Sequence, residues 1–246
     1  RARGPRAYRY GSDIEALLAM ITQTVRSIRD RMQPHALLCV HMDQRAVHET
    51  KVACDAALGR GAFAGEIIWL PGNGAKGKGV PVTHQTLLLF ARSGPERKLT
   101  RWHSDHPSLR EPYAPTSLGM HFTKVDAEGR RYRERVVSGK AYRYYADAGR
   151  RLGSVWSDIP AMRANTPLLS EGTGYPTQKP LALLERLVHA ATLPGEVVAD
   201  LMCGSGTTLV AAGKLGRRFV GADQIPLAIA TASGRLRAEG LSFRSG

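Results

Sequence analysis

The sequence predicts an α/β fold, a doubly wound and mostly parallel sheet with an inserted region, and three observations predict it. A strand, a glycine-rich turn, a helix, a second strand and an acid follow one another between Val197 and Asp223. Ala36–Met42, Glu66–Leu70 and Thr86–Arg92 are short continuous apolar runs, as expected of strands covered on both faces. At 246 residues the chain suits one large domain, or a domain with an insertion, around a sizeable core.

The elements follow in order. Residues 1–11 are basic and aromatic; Arg1, Arg3, Arg6, Tyr8, Arg9 and Tyr10 either touch nucleic acid or form a floppy end. Ser12 and Glu15 make a capping box for a helix reaching about Met32. Its apolar residues Ile14, Leu17, Leu18, Ile21, Val25 and Ile28 recur at helical spacing and face the core. Pro34 ends it. The strand Ala36–Met42 carries His41 at its C-terminal end with Asp43 just beyond, where open α/β sheets place their ligands. His48 does not complete a metal site with them, because a helix from Arg45 to Leu58 accounts for it as a surface residue; no metal is expected.

Between the next two apolar strands lies Gly72-Asn73-Gly74-Ala75-Lys76-Gly77-Lys78-Gly79. Four glycines and two lysines cannot pack a core. The segment is either a basic clamp on a DNA backbone, through Lys76 and Lys78, or a solvated hairpin loop. Residues 94–160 change character. Arg130, Arg131, Arg133, Arg135, Lys140 and Arg143 interleave with Tyr132, Tyr142, Tyr144 and Tyr145, a composition that suits a nucleic-acid surface.

The last third returns to regular periodicity. Pro180 suits the first turn of the amphipathic helix Leu181–Ala191. Val197-Val198-Ala199 leads into Asp200, and Gly204 and Gly206 let the backbone approach a ligand closely. The helix from Thr207 to Leu215 offers free N–H groups in its first turn and closes at Lys214 and Gly216. The strand Arg218–Ala222 ends on Asp223, about 20 residues past the glycines, where dinucleotide sites place a carboxylate on ribose hydroxyls. No Lys-Ser/Thr pair follows the glycines, which excludes a P-loop, and the third glycine of a dinucleotide fingerprint is missing. The ligand is therefore nucleoside-like and need not carry a pyrophosphate.

Composition narrows the class. Lys and Arg number 35 against 21 Asp and Glu, a net charge of +14 with a pI near 10.2. Such a balance favours a polyanionic partner through phosphate contacts and counterion release. No run of about 18 apolar residues exists to span a membrane. No signal-peptide pattern opens the sequence. Cys39, Cys54 and Cys203 are an odd, widely spaced set that reads as reduced intracellular thiols.

The segment Thr173-Gly174-Tyr175-Pro176-Thr177-Gln178-Lys179-Pro180, its helix, and the run from Asp200 to Asp223 together resemble the β-group of DNA amino-methyltransferases. Upstream, Ala36–Asp43, Glu66–Trp69, His84–Phe90 and Val155–Pro160 fall in that family's order, so the likeness covers most of the chain. The resemblance implies an enzyme that moves a methyl group from S-adenosylmethionine to adenine N6 or cytosine N4 of double-stranded DNA. Its flipped-out base would be methylated in a restriction-modification or epigenetic role. It implies a Rossmann-like methyltransferase sheet of about seven strands with its last hairpin antiparallel. It divides the chain into a catalytic half (1–93), a target-recognition insert (94–171) and a cofactor-binding half (172–246).

The cofactor residues it implies are Thr177, Lys179, Asp200, Cys203, Gly204, Ser205, Gly206, Thr207, Thr208 and Asp223. Asp223 would take the ribose hydroxyls, and the Cys203–Thr207 backbone would face the methionine part. Asp200 either binds as well or orders the turn, and Lys179 either meets the cofactor carboxylate or is solvated. Lys76, Lys78, Arg130, Arg131 and Arg133 are the DNA-binding candidates. The family's Asp/Asn/Ser-Pro-Pro-Tyr/Phe tetrad, which orients the target amine, is missing, since the sequence has no Pro-Pro. Its place in the family's order is upstream of Arg1, on a strand beside Asp200. The expected setting is the cytoplasm of a bacterium, with a homodimer and a restriction subunit left open as partners. The rival readings are a non-catalytic DNA-binding relative and a methyltransferase acting on a protein or small molecule.

Overall fold

The computed structural model describes residues 14–72, 79–162 and 171–245. Ser12 of the expected capping box, the basic stretch before it, and Lys76 and Lys78 lie outside the described residues. Helix α1 (Ile14–Arg29) buries Leu17, Ile21 and Val25. These meet Val47, Cys54 and Leu58 of α2 (Val47–Leu58), and beyond them Leu88 and Phe90. Ile14, expected in the core, is 43% exposed, because the packed cluster begins one turn later at Leu17.

Strands β1 (Leu37–Met42), β2 (Phe63–Trp69) and β3 (Gln85–Ala91) occupy the expected runs. β3 lies between the other two and is antiparallel to both. The sheets of the described residues are thus small and mixed, and the expected mostly parallel sheet is not shown by them. The crossover through α2 keeps β1 and β2 in one direction, while β3 returns antiparallel to β2, with no helix between them among the described residues. Phe90 on β3 is fully buried, and burial of a side chain of that size stabilises by about 1.5–3 kcal/mol.

His103–Gly153 forms a compact unit of its own. Within it β4 (Arg110–Glu111) pairs with a strand near the unit's end, and α3 (Pro115–His121) precedes β5 (Lys124–Val125), β6 (Arg131–Val137) and β7 (Lys140–Tyr145). The last three form an antiparallel sheet, and β8 (Arg150–Arg151) is the partner of β4. Ser138 and Gly139 turn the β6–β7 hairpin with φ of 49° and 78°, the two left-handed residues that a tight right-twisted hairpin requires. Leu109, Tyr113 and Phe122 are the unit's buried apolar residues, with the two rings 4.5 Å apart.

The rest of the chain continues with β9 (Val155–Trp156), which adds to β2 in parallel and gives the order β1-β3-β2-β9. Trp69 and Trp156 pair in register and are buried, and the Trp69 indole N–H donates to the carbonyl of Ile159 at 2.7 Å. Helix α4 (Leu181–Ala191) leads to β10 (Val197–Asp200), α5 (Thr207–Lys214), β11 (Arg218–Gly221) and α6 (Pro226–Ala238). Pro180 sits one residue before α4, as its N-cap rather than inside its first turn.

β10 and β11 pair in parallel across α5 as a separate two-stranded sheet, packed on Leu209, Val210, Ala232 and Leu236. Among the described residues, β1 and β10 each pair along one edge only. Val197 and Val220 stay half exposed. A single sheet of about seven strands is therefore not what these residues form. Ion pairs from Arg101 (2.7 Å) and His35 (3.2 Å) to Glu196 tie the start of β10 to the segments flanking β1 and β3. No helix among the described residues is long and apolar enough to cross a membrane.

Candidate functional site

The site grows from the end of β10. Asp200 closes the strand, and its carboxylate accepts the N–H of Met202 at 3.2 Å. Burial raises its pKa, with hydrogen bonds from Thr208 and Met202 opposing. It orders the turn. The chain then bends through Gly204 (φ 51°) and Gly206 (φ 74°) into α5. Gly206 has two reasons to be glycine. Its φ is left-handed, and an added Cβ would lie 2.6 Å from the Cβ of Ala232 on α6. As the N-cap of α5 it provides no side-chain acceptor, so it does not occupy the first-turn N–H groups.

Asp223 ends the next strand at the same sheet end. One oxygen accepts the N–H of Gly204 at 2.9 Å and the other that of Ile225 at 2.9 Å. A carboxylate has about four lone-pair sites, so two remain free. Below the turn, Arg235 donates to the Ser205 carbonyl (3.1 Å) and the Thr207 hydroxyl (2.7 Å). Cys203, Ser205 and Thr207 are buried, and burial pushes the Cys203 thiol up to about 12, so this group stays protonated and unreactive.

The Thr173–Pro180 segment folds onto this turn. Thr207 Oγ1 donates to the Lys179 carbonyl at 3.4 Å, and the Tyr175 ring covers Gly204, 3.3 Å from where a Cβ would stand. Gln178 holds the segment in shape by donating to the Glu171 carbonyl and accepting from Thr173, while the Glu171 carboxylate caps the N–H of Leu181. Between segment and turn opens a cleft of about 230 Å³. Thr177, Gly204 and Asp223 line it, with Tyr175, Leu201, Met202, Gln224 and Ile225, and with Met20 and Thr24 from α1.

Of the ten residues expected at a cofactor, three thus reach the cleft. Asp200, Cys203, Ser205, Gly206, Thr207 and Thr208 shape the turn behind it. Lys179 is not among the lining residues. Its ammonium donates to the Thr177 carbonyl at 3.3 Å, burial lowers its pKa, and the nearby Asp43 carboxylate opposes that shift. Met20 and Thr24 carry no sequence signal, since only packing brings one turn of α1 to this spot. Tyr175 stands inside the quoted Thr173–Pro180 motif and could have been singled out as the aromatic nearest the glycines.

His41 and Asp43 sit at the end of β1. The His41 ring stands edge-on to Trp69, with centroids 5.8 Å apart, and its Nε2 is buried without a hydrogen-bond partner. Burial, with the Lys179 charge second, drives its pKa down to about 3, so the imidazole is neutral. Asp43 is held below the usual carboxylate range by its hydrogen bonds with Arg45, at 2.6 Å. His48 is exposed on α2, as expected.

The DNA-binding candidates of the separate unit are engaged inside it. Arg130 forms an ion pair with Asp147 at 2.9 Å and stacks on Tyr145. Arg131 donates to the carbonyls of Leu118 and Phe122, closing the end of α3. Arg133 lies among the rings of Tyr113, Phe122 and Tyr144, 5.2–5.4 Å from their centroids.

A family model described as DNA methylase, covering the N6/N4 enzymes, matches residues 5–233. The type II methyltransferase M1.MboII of Moraxella bovis is 29% identical over 157 residues, which is 62% of this chain and 53% of that protein. The chain thus spans about half the length of this curated relative. Two solved structures share the fold. PvuII DNA methyltransferase, cytosine-N4-specific, gives a TM-score of 0.59 at 14% identity, over 100% of this chain and 78% of the other. The M1.HpyAVI–SAM complex gives 0.52 at 17% identity, over 89% and 83%. The sheets here are small and mixed, yet the α/β methyltransferase fold is common to all three. With the match running through β1, the glycine turn and Asp223, the chain belongs to the N6/N4 DNA methylase family.

Proposed function

We propose that this protein transfers a methyl group from S-adenosylmethionine to an exocyclic amino group of DNA, adenine N6 or cytosine N4, in the cytoplasm of a bacterium. Within family membership, the observation that carries the reading is the cleft between Tyr175 and Asp223. Its floor is a glycine turn whose Gly204 lies under the Tyr175 ring, and a carboxylate with free lone pairs stands at its rim. That donor set fits a nucleoside with vicinal hydroxyls. Asp223 would accept from the ribose, Tyr175 and Ile225 would flank the flat base, and the backbone around Gly204 would face the methionine part. When bound, the cofactor supplies an electrophilic sulfonium methyl group; the chain's residues hold it and shield it from water. The tetrad that would orient the target amine is not among the 246 residues.

In this reading residues 1–93 are the catalytic half, 94–171 choose the target sequence, and 172–246 bind the cofactor. Lys76 and Lys78 serve as phosphate contacts. A larger, mostly parallel sheet of about seven strands would occupy the unpaired edges of β1 and β10 and cover Val197 and Val220. Two measurements test the function. Titration calorimetry should show S-adenosylmethionine binding that Asp223→Ala weakens by about 1.5–3 kcal/mol, the scale of a hydrogen bond to a charged group. Mass spectrometry of nucleosides from DNA treated with the natural protein and cofactor should show N6-methyladenine or N4-methylcytosine. Only 5-methylcytosine, or no methylated base, would overturn the assignment.

A further inference from the structure

The β6–β7 hairpin has two faces that differ in how their cations are paired. Residues paired directly across an antiparallel ladder share a face. The register therefore sets Tyr132 with Tyr145, Glu134 with Arg143 and Val136 with Ala141 on one face. It sets Arg133 with Tyr144, Arg135 with Tyr142 and Val137 with Lys140 on the other. On the first face both cations are ion-paired, because Glu134 meets Lys124 at 3.1 Å and Arg143 at 3.7 Å. The second face carries three cations and no acid.

That second face has an inner and an outer half. The inner half is filled by Arg133 among its three rings, next to Arg131 at the end of α3. The outer half is open: Arg135 and Lys140 are exposed, Tyr142 is 42% exposed, and Val137 is 52% exposed. Among the described residues, neither Arg135 nor Lys140 makes an ion pair; Lys140 leans on the Tyr142 ring at 5.6 Å. Two exposed cations without ion-pair partners beside an exposed aromatic ring make a surface that suits a polyanion.

We infer that this outer face, built from Arg135, Lys140 and Tyr142, is where the hairpin meets duplex DNA. A two-stranded ribbon is of the size that the major groove admits, about 12 Å across. Lys140, at the hairpin tip, contacts a phosphate. Arg135, mid-strand, reaches a base edge, where its fork matches the O6 and N7 acceptors of guanine. Tyr142 packs its apolar ring between them. The inference rests on the reading of the protein as a DNA methylase and names the part of the insert that touches the substrate.

The test is a binding titration of the natural protein against fluorescein-labelled duplex DNA of mixed sequence, at several salt concentrations. Arg135→Ala combined with Lys140→Ala should lower affinity at least tenfold at about 0.1 M salt. It should also flatten the dependence of log K on log salt by about 1–2, the loss of one or two phosphate-scale contacts. Its melting temperature and its affinity for S-adenosylmethionine should match the parent, since both side chains are exposed and neither makes an ion pair among the described residues. Arg143→Ala, on the ion-paired face, should bind within twofold of the parent. The inference is overturned if the double variant binds like the parent, or if Arg143→Ala loses as much. In those cases a parent that still methylates DNA leaves the methylase reading standing. A parent that binds no duplex removes both.

Discussion

The turn between Asp200 and Asp223 and the hairpin between Arg131 and Tyr145 are built on opposite plans. In the turn, carboxylates are tied to backbone N–H groups and the hydroxyls of Ser205 and Thr207 are buried, so each polar group has a fixed partner a few residues away or on the next strand. In the hairpin, charges are exposed and sorted by strand register, with ion pairs on one face and bare cations on the other. Local sequence marks the first plan, because left-handed glycines and acids at strand ends are residue identities readable without knowing the strand register. The second depends on which residue lies opposite which, and a shift by one residue would exchange the two faces.

The largest effect that would break this contrast is expected at Gly206. Gly206→Val forces a β-branched residue into a left-handed φ and drives its Cβ into Ala232, where backbone and side chain of α6 cannot withdraw. Strain and overpacking together should cost about 3 kcal/mol, read as a shift in the urea midpoint, with cofactor binding lost. A variant of near-parental stability would mean that the turn is not rigidly specified.

A smaller loss is expected at Arg133, where removal of the guanidinium from among Tyr113, Phe122 and Tyr144 should destabilise the His103–Gly153 unit by about 1–2 kcal/mol. Hydrogen exchange of amides in β6 and β7 should report it, while amides of β10 and β11 stay protected. If Arg133→Ala instead weakens DNA binding with no change in exchange, that residue belongs to the substrate surface.

The third effect is graded. The folded His41 pKa is depressed to about 3, while the unfolded value is about 6.5. Above about 6.5 both states are neutral and the full stability is present. Below it the unfolded chain binds a proton that the folded one refuses, so stability falls by up to about 1.4 kcal/mol per pH unit towards pH 3. Denaturation at pH 7 and pH 5 should show that loss, and His41→Gln should flatten it. The exposed pairs of the hairpin change little over the same range, because Lys124 and Arg130 hold Glu134 and Asp147 below their usual values. A parental protein equally stable at both pH values would show that His41 is not buried as described.

Most helices and strands were legible because periodicity reports which side of an element is covered. α1 required only the apolar residues between Leu17 and Val25, and α4 matched the span Leu181–Ala191. The strand runs were equally clear, but their directions were not. A continuous apolar run reads the same whether its neighbour is parallel or antiparallel, and only the hairpin return from β2 to β3 settled the matter.

The sequence by itself determined the glycine turn with its flanking acids, the family order of segments and the basic balance of the chain, since each is written in residue identity at short range. Tertiary structure alone decided three things. It brought Met20 and Thr24 of α1 to the cleft, set the Lys179 ammonium on the Thr177 carbonyl, and gave Arg130, Arg131 and Arg133 internal partners. The physical reason is common to all three. A cation or a helix face is offered to every partner equally by its sequence, and it is the packing that fixes which one is within reach.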